Sequence, residues 1–148
     1  MRRTNRQVTD IGEIAGILSR CEVIRLGMAG SCGPYVVPLS FGFEFTRDKI
    51  TIYFHGAKEG LKHELLAKDN RVCVEADIFH GYKGITAGYE SIIGFGRAEV
   101  VTGEEARRGL LLICEHCGQP QYPLDSCGMP TRVYKVTLES VTGKRNII

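Results

Sequence analysis

The hydrophobic residues of this chain recur mostly at every second position, which is the period expected for half-buried β-strands. β-Branched and aromatic residues are common in these stretches, and turn-forming residues bound several of them. The pattern predicts six strands, at 21–28, 35–45, 50–54, 71–77, 89–101 and 132–142. The intervening segment 78–88 contains three glycines and no clear period, and it is predicted to be a loop.

Three segments have the helical period instead. The first begins after Asp10, with Glu13 three residues later, and the third begins at Thr102, with Glu105 at the same spacing. Both pairs are typical of a capped helix start, and the second helix is predicted at 61–67. Six strands joined mainly by hairpins, with three helices, predict a mainly β fold: an antiparallel barrel with peripheral helices.

The third predicted strand leads through His55, Gly56 and Ala57 into the second helix, whose first turn contains Lys62. Backbone N–H groups at a helix start attract anions, and lysine adds positive charge. An imidazole, a lysine and backbone amides at the end of a strand therefore indicate a binding site for a phosphorylated cofactor. The alternative is an ordinary strand-to-helix junction in which His55 only satisfies hydrogen bonds.

A proline interrupts the second predicted strand. Because Pro38 has no backbone N–H, it is expected at a sheet edge, at a bulge or at a break in pairing. The backbone of Pro38, Leu39 and Ser40 is therefore a second candidate for contact with a ligand. A simple edge-strand proline would produce the same pattern.

Size and charge exclude several classes of protein. The 148 residues suit one domain, 1–148, and 19 basic against 17 acidic residues give a net charge of +2 without long runs of one sign. Neither nucleic-acid binding nor membrane binding is expected, since no segment approaches the roughly 20 apolar residues of a membrane span. The short basic start lacks the apolar stretch of a signal peptide, so a cytoplasmic protein is expected.

Three of the six cysteines, Cys114, Cys117 and Cys127, lie close to His116 in the sequence. Three thiols and an imidazole are enough ligands for tetrahedral zinc. However, Cys114 belongs to the apolar face of a predicted helix, and the spacing to Cys127 is shorter than in common zinc folds. A zinc site, a labile thiol pair and unremarkable reduced cysteines all remain open at this point.

Four motifs occur in order along the chain: Val37-Pro38-Leu39-Ser40, Phe54-His55-Gly56-Ala57-x-x-Gly60-x-Lys62, Tyr89-x-Ser91-x-x-x-x-Gly96-Arg97-Ala98 and Val141-Thr142-Gly143-Lys144-Arg145. Together they resemble the FMN-binding split-barrel proteins related to pyridoxamine 5′-phosphate oxidase, and among these the nitroimidazole-resistance (Nim) proteins. The resemblance covers residues 6–146. It implies a six-stranded antiparallel split β-barrel.

The resemblance also implies a homodimer with two FMN sites, each lined by both subunits. The implied cofactor-binding residues are Pro38, Leu39, Ser40, Phe41, His55, Gly56, Ala57, Lys62 and Ser91. Residues 38–41 would run beside the isoalloxazine ring, Lys62 would pair with the phosphate, and Ser91 would reach the flavin from the partner subunit. In Nim-type proteins a histidine at the position of His55 is implicated next to the flavin, which makes His55 the implied catalytic residue.

Two departures from the true oxidases narrow the implied activity. Leu61 stands immediately before Lys62, so the arginine that accompanies the phosphate-binding lysine in the oxidases has no counterpart here. The C-terminus also lacks their substrate-binding Arg-x-His pattern. Oxidation of pyridoxine phosphate is therefore not expected.

The implied function is an FMN-dependent oxidoreductase that takes electrons from a reductant and passes them to a small aromatic acceptor, such as a 5-nitroimidazole or a quinone. Tyr82 and Tyr89 are candidates to close the pocket over that acceptor. The alternatives are a split barrel that binds FMN or haem only as a carrier or sensor, and a zinc-binding protein.

Overall fold

The computed structural model describes residues 2–119 and 131–148. These residues form eight strands and three α-helices, preceded by a 3₁₀ turn at Thr4–Arg6. In chain order they are β1 (Gln7–Val8), α1 (Ile11–Ser19), β2 (Ile24–Gly30), β3 (Gly33–Leu39), β4 (Gly42–Thr46), β5 (Lys49–Ala57), α2 (Leu61–Lys68), β6 (Arg71–Lys83), β7 (Thr86–Val101), α3 (Gly103–Cys117) and β8 (Thr131–Asn146).

The strands of the described residues form one antiparallel sheet in the order β3-β2-β6-β7-β8-β5-β4, and β1 pairs with the C-terminal part of β8. The two ends of this order, β3 and β4, follow each other in the chain, yet no ladder joins them in the described part of the chain. The sheet is therefore a barrel left open between β3 and β4. This confirms the mainly β split-barrel prediction, with eight strands in place of six.

The strand predicted at 35–45 is two strands. β3 ends at Leu39 and β4 begins at Gly42, with Ser40 and Phe41 between them. The Phe41 side chain is fully buried, and a Cβ added to Gly42 would overlap the backbone of Leu112 and Ile113 in α3. The chain turns here to pack against α3. The sequence conceals the break because apolar residues keep the same alternation on both sides of it.

The segment 78–88, predicted to be a loop, is the outer part of a hairpin. β6 continues to Lys83 and β7 begins at Thr86, with a register shift between Phe79 and Gly81. The side chains here are largely exposed, 56% for Phe79 and 70% for Tyr82. Since neither face of this part of the hairpin is buried, the alternating pattern that identifies a strand is missing, and the loop prediction was wrong.

The first and third helices begin where the sequence predicts, but only one of the two predicted N-terminal caps is formed. The Asp10 side chain accepts a hydrogen bond from the Glu13 backbone N–H at 2.9 Å, which confirms the predicted cap of α1. Thr102 is the N-cap residue of α3, but its side chain makes no capping hydrogen bond, so the capping box is not formed. Glu105 instead forms an ion pair with Lys135 of β8 at 3.0 Å, which ties α3 to the sheet.

The apolar side chains form two clusters on opposite faces of β5. Ile52 and Phe54 belong to the larger cluster inside the barrel, whereas Tyr53 packs with residues of α3, β7 and β8. Because successive side chains of a strand point to opposite faces, this arrangement fixes the directions of the residues that follow Phe54. None of the helices in the described ranges is both long enough and apolar enough to cross a lipid bilayer.

Gly42 is where the close approach of α3 to the sheet leaves no room for a side chain. Gly42→Ala is expected to lower the free energy of unfolding by about 2 to 3 kcal/mol, because the new methyl would meet the α3 backbone. In the matched control Gly16→Ala, nothing lies within 4 Å of the new methyl, and α1 should gain up to about 1 kcal/mol. Urea unfolding followed by circular dichroism measures both. Equal effects of the two substitutions would contradict the close contact.

Candidate functional site

The strand that carries His55 is longer than predicted. β5 continues through His55, Gly56 and Ala57, which pair with Val133, Arg132 and Thr131 of β8. The prediction that the strand stops at His55 was wrong, because a partner strand distant in sequence extends the ladder. The turn that follows consists of 58–60, and α2 begins after Gly60.

The start of α2 carries no side-chain cap. Its N-cap residue is Gly60, whose φ of 132° lies in the region that favours glycine, and no side chain caps the helix at this end. The first N–H groups of an α-helix have no partner within the helix. The helix therefore begins where the sequence predicts, a few residues beyond the end of β5, and its first backbone N–H groups are available to a ligand.

Lys62 lies over the end of β5. Its Nζ is 5.6 Å from the ring centroid of Phe54 and 2.7 Å from the position that a Cβ on Gly56 would occupy. Gly56 therefore leaves the space into which the lysine folds, and any side chain at this position would displace the ammonium group. The two residues that the sequence singled out together, Gly56 and Lys62, are in contact.

The Lys62 charge is held in a half-buried position. Burial lowers the pKa of its ammonium group below the ordinary lysine value. No ion pair with a carboxylate is formed by Lys62 within residues 2–119 and 131–148. A partly desolvated cation without a carboxylate partner in the same chain is suited to bind an anion from outside it.

His55 is half-buried on the opposite face of β5 from Phe54 and Gly56. Burial lowers the pKa of its imidazole below the ordinary histidine value, and the nearby Lys62 charge lowers it further. A neutral imidazole carries one N–H donor and one acceptor nitrogen. His55 is therefore an uncharged hydrogen-bonding group beside a cation at neutral pH.

Residues 38–41 connect β3 to β4, next to the end of the β4–β5 ladder. The β4–β5 ladder ends at the pair of Gly42 with Tyr53. Ser40 and Phe41 lie between β3 and β4, before this ladder begins, so no strand pairing links them to His55. Pro38 lies on the edge strand β3, in agreement with the edge-strand interpretation, and the fully buried Phe41 side chain leaves only its backbone for a ligand.

Ser91 is not part of this site within one chain. It lies in β7 opposite Lys144 of β8, whereas His55 lies opposite Val133. These two positions on β8 are eleven residues apart, which corresponds to roughly 35 Å of extended strand. The structure thus brings Gly56 and Lys62 into contact beside His55 and leaves Ser91 at a distance.

Sequence reasoning missed three residues at this end of the barrel: His63, Arg132 and Tyr134. The Arg132 guanidinium lies against the His63 ring, with Nη1 2.6 Å from both ring nitrogens, and His63 Nδ1 lies 2.8 Å from the Tyr134 hydroxyl oxygen. His63 follows Lys62 directly and could have been noted. No local pattern connects Arg132 and Tyr134 to this site, because only strand pairing brings them there.

The part of the cysteine cluster that the structure describes, Cys114 to Cys117, lies at the end of α3. Cys114 is buried in α3, and His116 Nε2 donates a hydrogen bond to the Cys21 carbonyl oxygen at 2.6 Å. Among the described residues, no three His, Cys, Asp or Glu side chains are grouped so as to hold a metal ion. The fourth predicted ligand, Cys127, lies outside the described residues.

The two causes of the low His55 pKa can be separated by mutation. In Lys62→Met the pKa of His55 should rise toward about 6.5, because one repulsive charge is removed, and burial should still hold it below that value. Histidine NMR titration measures the change, with Lys58→Met, an exposed lysine of the preceding turn, as the control. A His55 pKa that is the same in all three proteins would contradict the electrostatic coupling.

The lowered pKa of His55 also makes the free energy of unfolding depend on pH. As pH falls below about 6.5, the unfolded chain takes up a proton at His55 before the folded chain does. The His55 contribution to the free energy of unfolding should therefore be constant above that pH and decrease below it, down to the lower folded pKa. The decrease attributable to this residue should be absent in His55→Gln.

Comparisons with known proteins agree with the fold. The sequence profile described as pyridoxamine 5′-phosphate oxidase matches residues 10–145. A crystal structure from Bacteroides thetaiotaomicron, described as a candidate 5-nitroimidazole antibiotic resistance protein, is 30% identical with a TM-score of 0.81, over 93% of this chain and 85% of that chain.

Two more distant structures share the fold. A FAD-binding protein from Mesorhizobium loti is 23% identical, with a TM-score of 0.72 over 96% of this chain and 98% of that chain. A flavocytochrome from Azotobacter vinelandii is 17% identical, with a TM-score of 0.79 over 100% of this chain and 72% of that chain. A search of curated proteins gave no match. Because the family profile spans nearly the whole described fold, this chain belongs to the pyridoxamine 5′-phosphate oxidase family.

Proposed function

We propose that the protein binds FMN at the end of β5 and acts as an FMN-dependent oxidoreductase for small aromatic acceptors, with 5-nitroimidazoles as the first candidates. The observation that carries the proposal is the half-buried Lys62 ammonium group, which lies over Gly56 beside the uncharged His55 and has no carboxylate partner in the described residues. Family membership supports a flavin, and so do the relatives, which are described as a FAD-binding protein, a flavocytochrome and a candidate nitroimidazole-resistance protein.

The residues at this site fit a flavin phosphate. The space above Gly56 would be filled by a Cβ, so its absence lets Lys62 fold over the strand end, where a phosphate would also meet the uncapped α2 N-terminus. The exposed Ser40 hydroxyl and the backbone of 38–41 would serve the polar edge of the ring. Ala57, the last residue of β5, would offer backbone groups only.

When bound, FMN would supply the electron transfer between a reductant and the acceptor. The contribution of the protein is position and electrostatics. Because its pKa is depressed, His55 is uncharged at neutral pH and would act as a hydrogen-bond donor to negative charge that develops on the acceptor, rather than as an acid. Lys62 would favour the same negative charge by Coulomb attraction.

A single-turnover experiment tests the function without knowledge of the electron donor. FMN-loaded protein is photoreduced without oxygen and mixed with a 5-nitroimidazole, and the return of oxidised flavin absorbance and the loss of nitro absorbance are followed. His55→Gln should slow both by about tenfold or more while binding FMN as the wild type does.

Reduced FMN in solution is the control for that experiment. If the loaded protein reacts no faster than reduced FMN alone, the oxidoreductase proposal fails and a carrier or sensor is the remaining interpretation. If His55→Gln reacts as fast as the wild type, the role of His55 fails while the activity stands.

We also propose a homodimer, in which Ser91 serves the site of the partner subunit. Strand pairing aligns Val36, Gly27, Cys73 and Phe95 in one row across the outer face of the sheet. Of these, Val36 is 59% exposed and Phe95 is 54% exposed, and Ile93 beside them is 43% exposed. An apolar surface of this kind is typical of a protein interface.

The location of Ser91 supports this second copy. Ser91, Ile93 and Phe95 are alternate residues of β7, so they point to the same face of the sheet. A second copy bound to that face would contact Ser91 directly. It would also bring Ser91 to a flavin held by the partner subunit, since the His55 end of its own chain is far along the barrel.

The dimer is tested by light scattering of the purified protein. The wild type should have twice the mass of one chain, and Phe95→Glu should shift it toward the monomer, because a buried charge in an apolar interface is costly. Leu111→Glu, at an exposed position of α3 outside this face, is the matched control and should leave the mass unchanged. A monomeric wild type would contradict the shared site.

A further inference from the structure

We propose that Arg132 is a second cation of the phosphate site, brought to Lys62 by the pairing of β8 with β5 and held in place by His63 and Tyr134. The inference rests on the proposed flavin site. It adds a residue that lies far from the rest of that site in the sequence. It also specifies the preferred ligand, a cofactor with a terminal phosphate monoester.

The position of Arg132 follows from strand register. Arg132 pairs with Gly56, and paired residues of antiparallel strands have side chains on the same face, with Cβ atoms about 5 Å apart. Lys62 Nζ occupies the space directly over Gly56. The base of the Arg132 side chain and the Lys62 ammonium group therefore both lie next to Gly56, over the same end of the sheet.

The His63 and Tyr134 rings support the arginine. His63 contacts both Arg132 and the hydroxyl group of Tyr134, and Tyr134 is 2% exposed and stacked on Phe54 at a centroid distance of 5.1 Å. Arg132 Nη1 is equally close to both ring nitrogens, so the contact is with the imidazole as a whole and assigns no tautomer to His63. Tyr134 and His63 are thus positioning residues for the guanidinium.

The chemistry of this support favours an external anion. Neither ring neutralises the arginine, and no ion pair links Arg132 to a carboxylate in the described ranges. The remaining N–H groups of a guanidinium match the geometry of phosphate oxygens. Lys62 and Arg132 together supply two positive charges. These match the nearly doubly charged phosphate monoester of FMN better than they match the phosphate of a diester.

Flavins that differ only at the phosphate test the proposal. FMN and riboflavin are titrated into wild type, Arg132→Gln, Lys62→Gln and Arg107→Gln, and binding is measured by quenching of flavin fluorescence. Arg132→Gln and Lys62→Gln should each weaken FMN binding by about 10- to 100-fold and leave riboflavin binding unchanged. Arg107, an exposed arginine of α3, is the matched control and should have no effect.

Variants at His63 separate positioning from folding. His63→Gln keeps an acceptor for Arg132 and should retain most of the FMN affinity, whereas His63→Leu should lose affinity for FMN and not for riboflavin. Arg132→Lys keeps the charge and should recover part of the loss seen in Arg132→Gln. Thermal unfolding of each variant verifies that it is folded.

Three results would overturn the proposal, and they differ in what else they affect. If Lys62→Gln weakens FMN binding and Arg132→Gln does not, Arg132 is excluded while the proposed function stands. If Arg132→Gln weakens FMN and riboflavin equally, the arginine supports the fold and not the phosphate. If the wild type binds no flavin at all, the inference and the proposed function fail together.

Discussion

The pairing of β5 with β8 is the constraint on which the rest of the site depends. β8 lies between β5 and β7 in the sheet, so it connects the two parts of the barrel, and the same ladder extends β5 past His55 to Ala57. It also places Arg132 and Tyr134 opposite Gly56 and Phe54. The start of α2 can then lie over both strands, with Lys62 above β5 and His63 above β8.

The charges at this end of the barrel differ from those elsewhere in the protein. The buried Glu90 carboxylate is bonded to Arg20, His80 and Arg145, which lowers its pKa far below the ordinary value. Among the described residues, no buried side-chain nitrogen or oxygen lacks a hydrogen-bond partner. The buried Glu90 charge is therefore neutralised by partners within the same chain. At the end of β5, by contrast, Lys62 has no carboxylate partner among the described residues.

Such an arrangement costs stability when no anion is bound. Burial disfavours the charged form of the Lys62 ammonium group and lowers its pKa. A ligand that binds only the folded chain raises the free energy of unfolding. Burial lowers the pKa of Lys62, and burial together with the Lys62 charge lowers the pKa of His55, so binding, protonation and stability are linked at this site.

Local sequence determined the elements whose physical cause is local. The alternation of buried residues predicted the inner parts of β5, β6 and β7, Asp10 predicted the start of α1, and the residues from His55 to Lys62 predicted the strand-to-helix junction. Tertiary structure decided the break at Ser40, the hairpin at 78–88 and the distance of Ser91 from His55. It alone placed Arg132 opposite Gly56, because strand register joins residues distant in sequence and leaves no periodic signal in either segment.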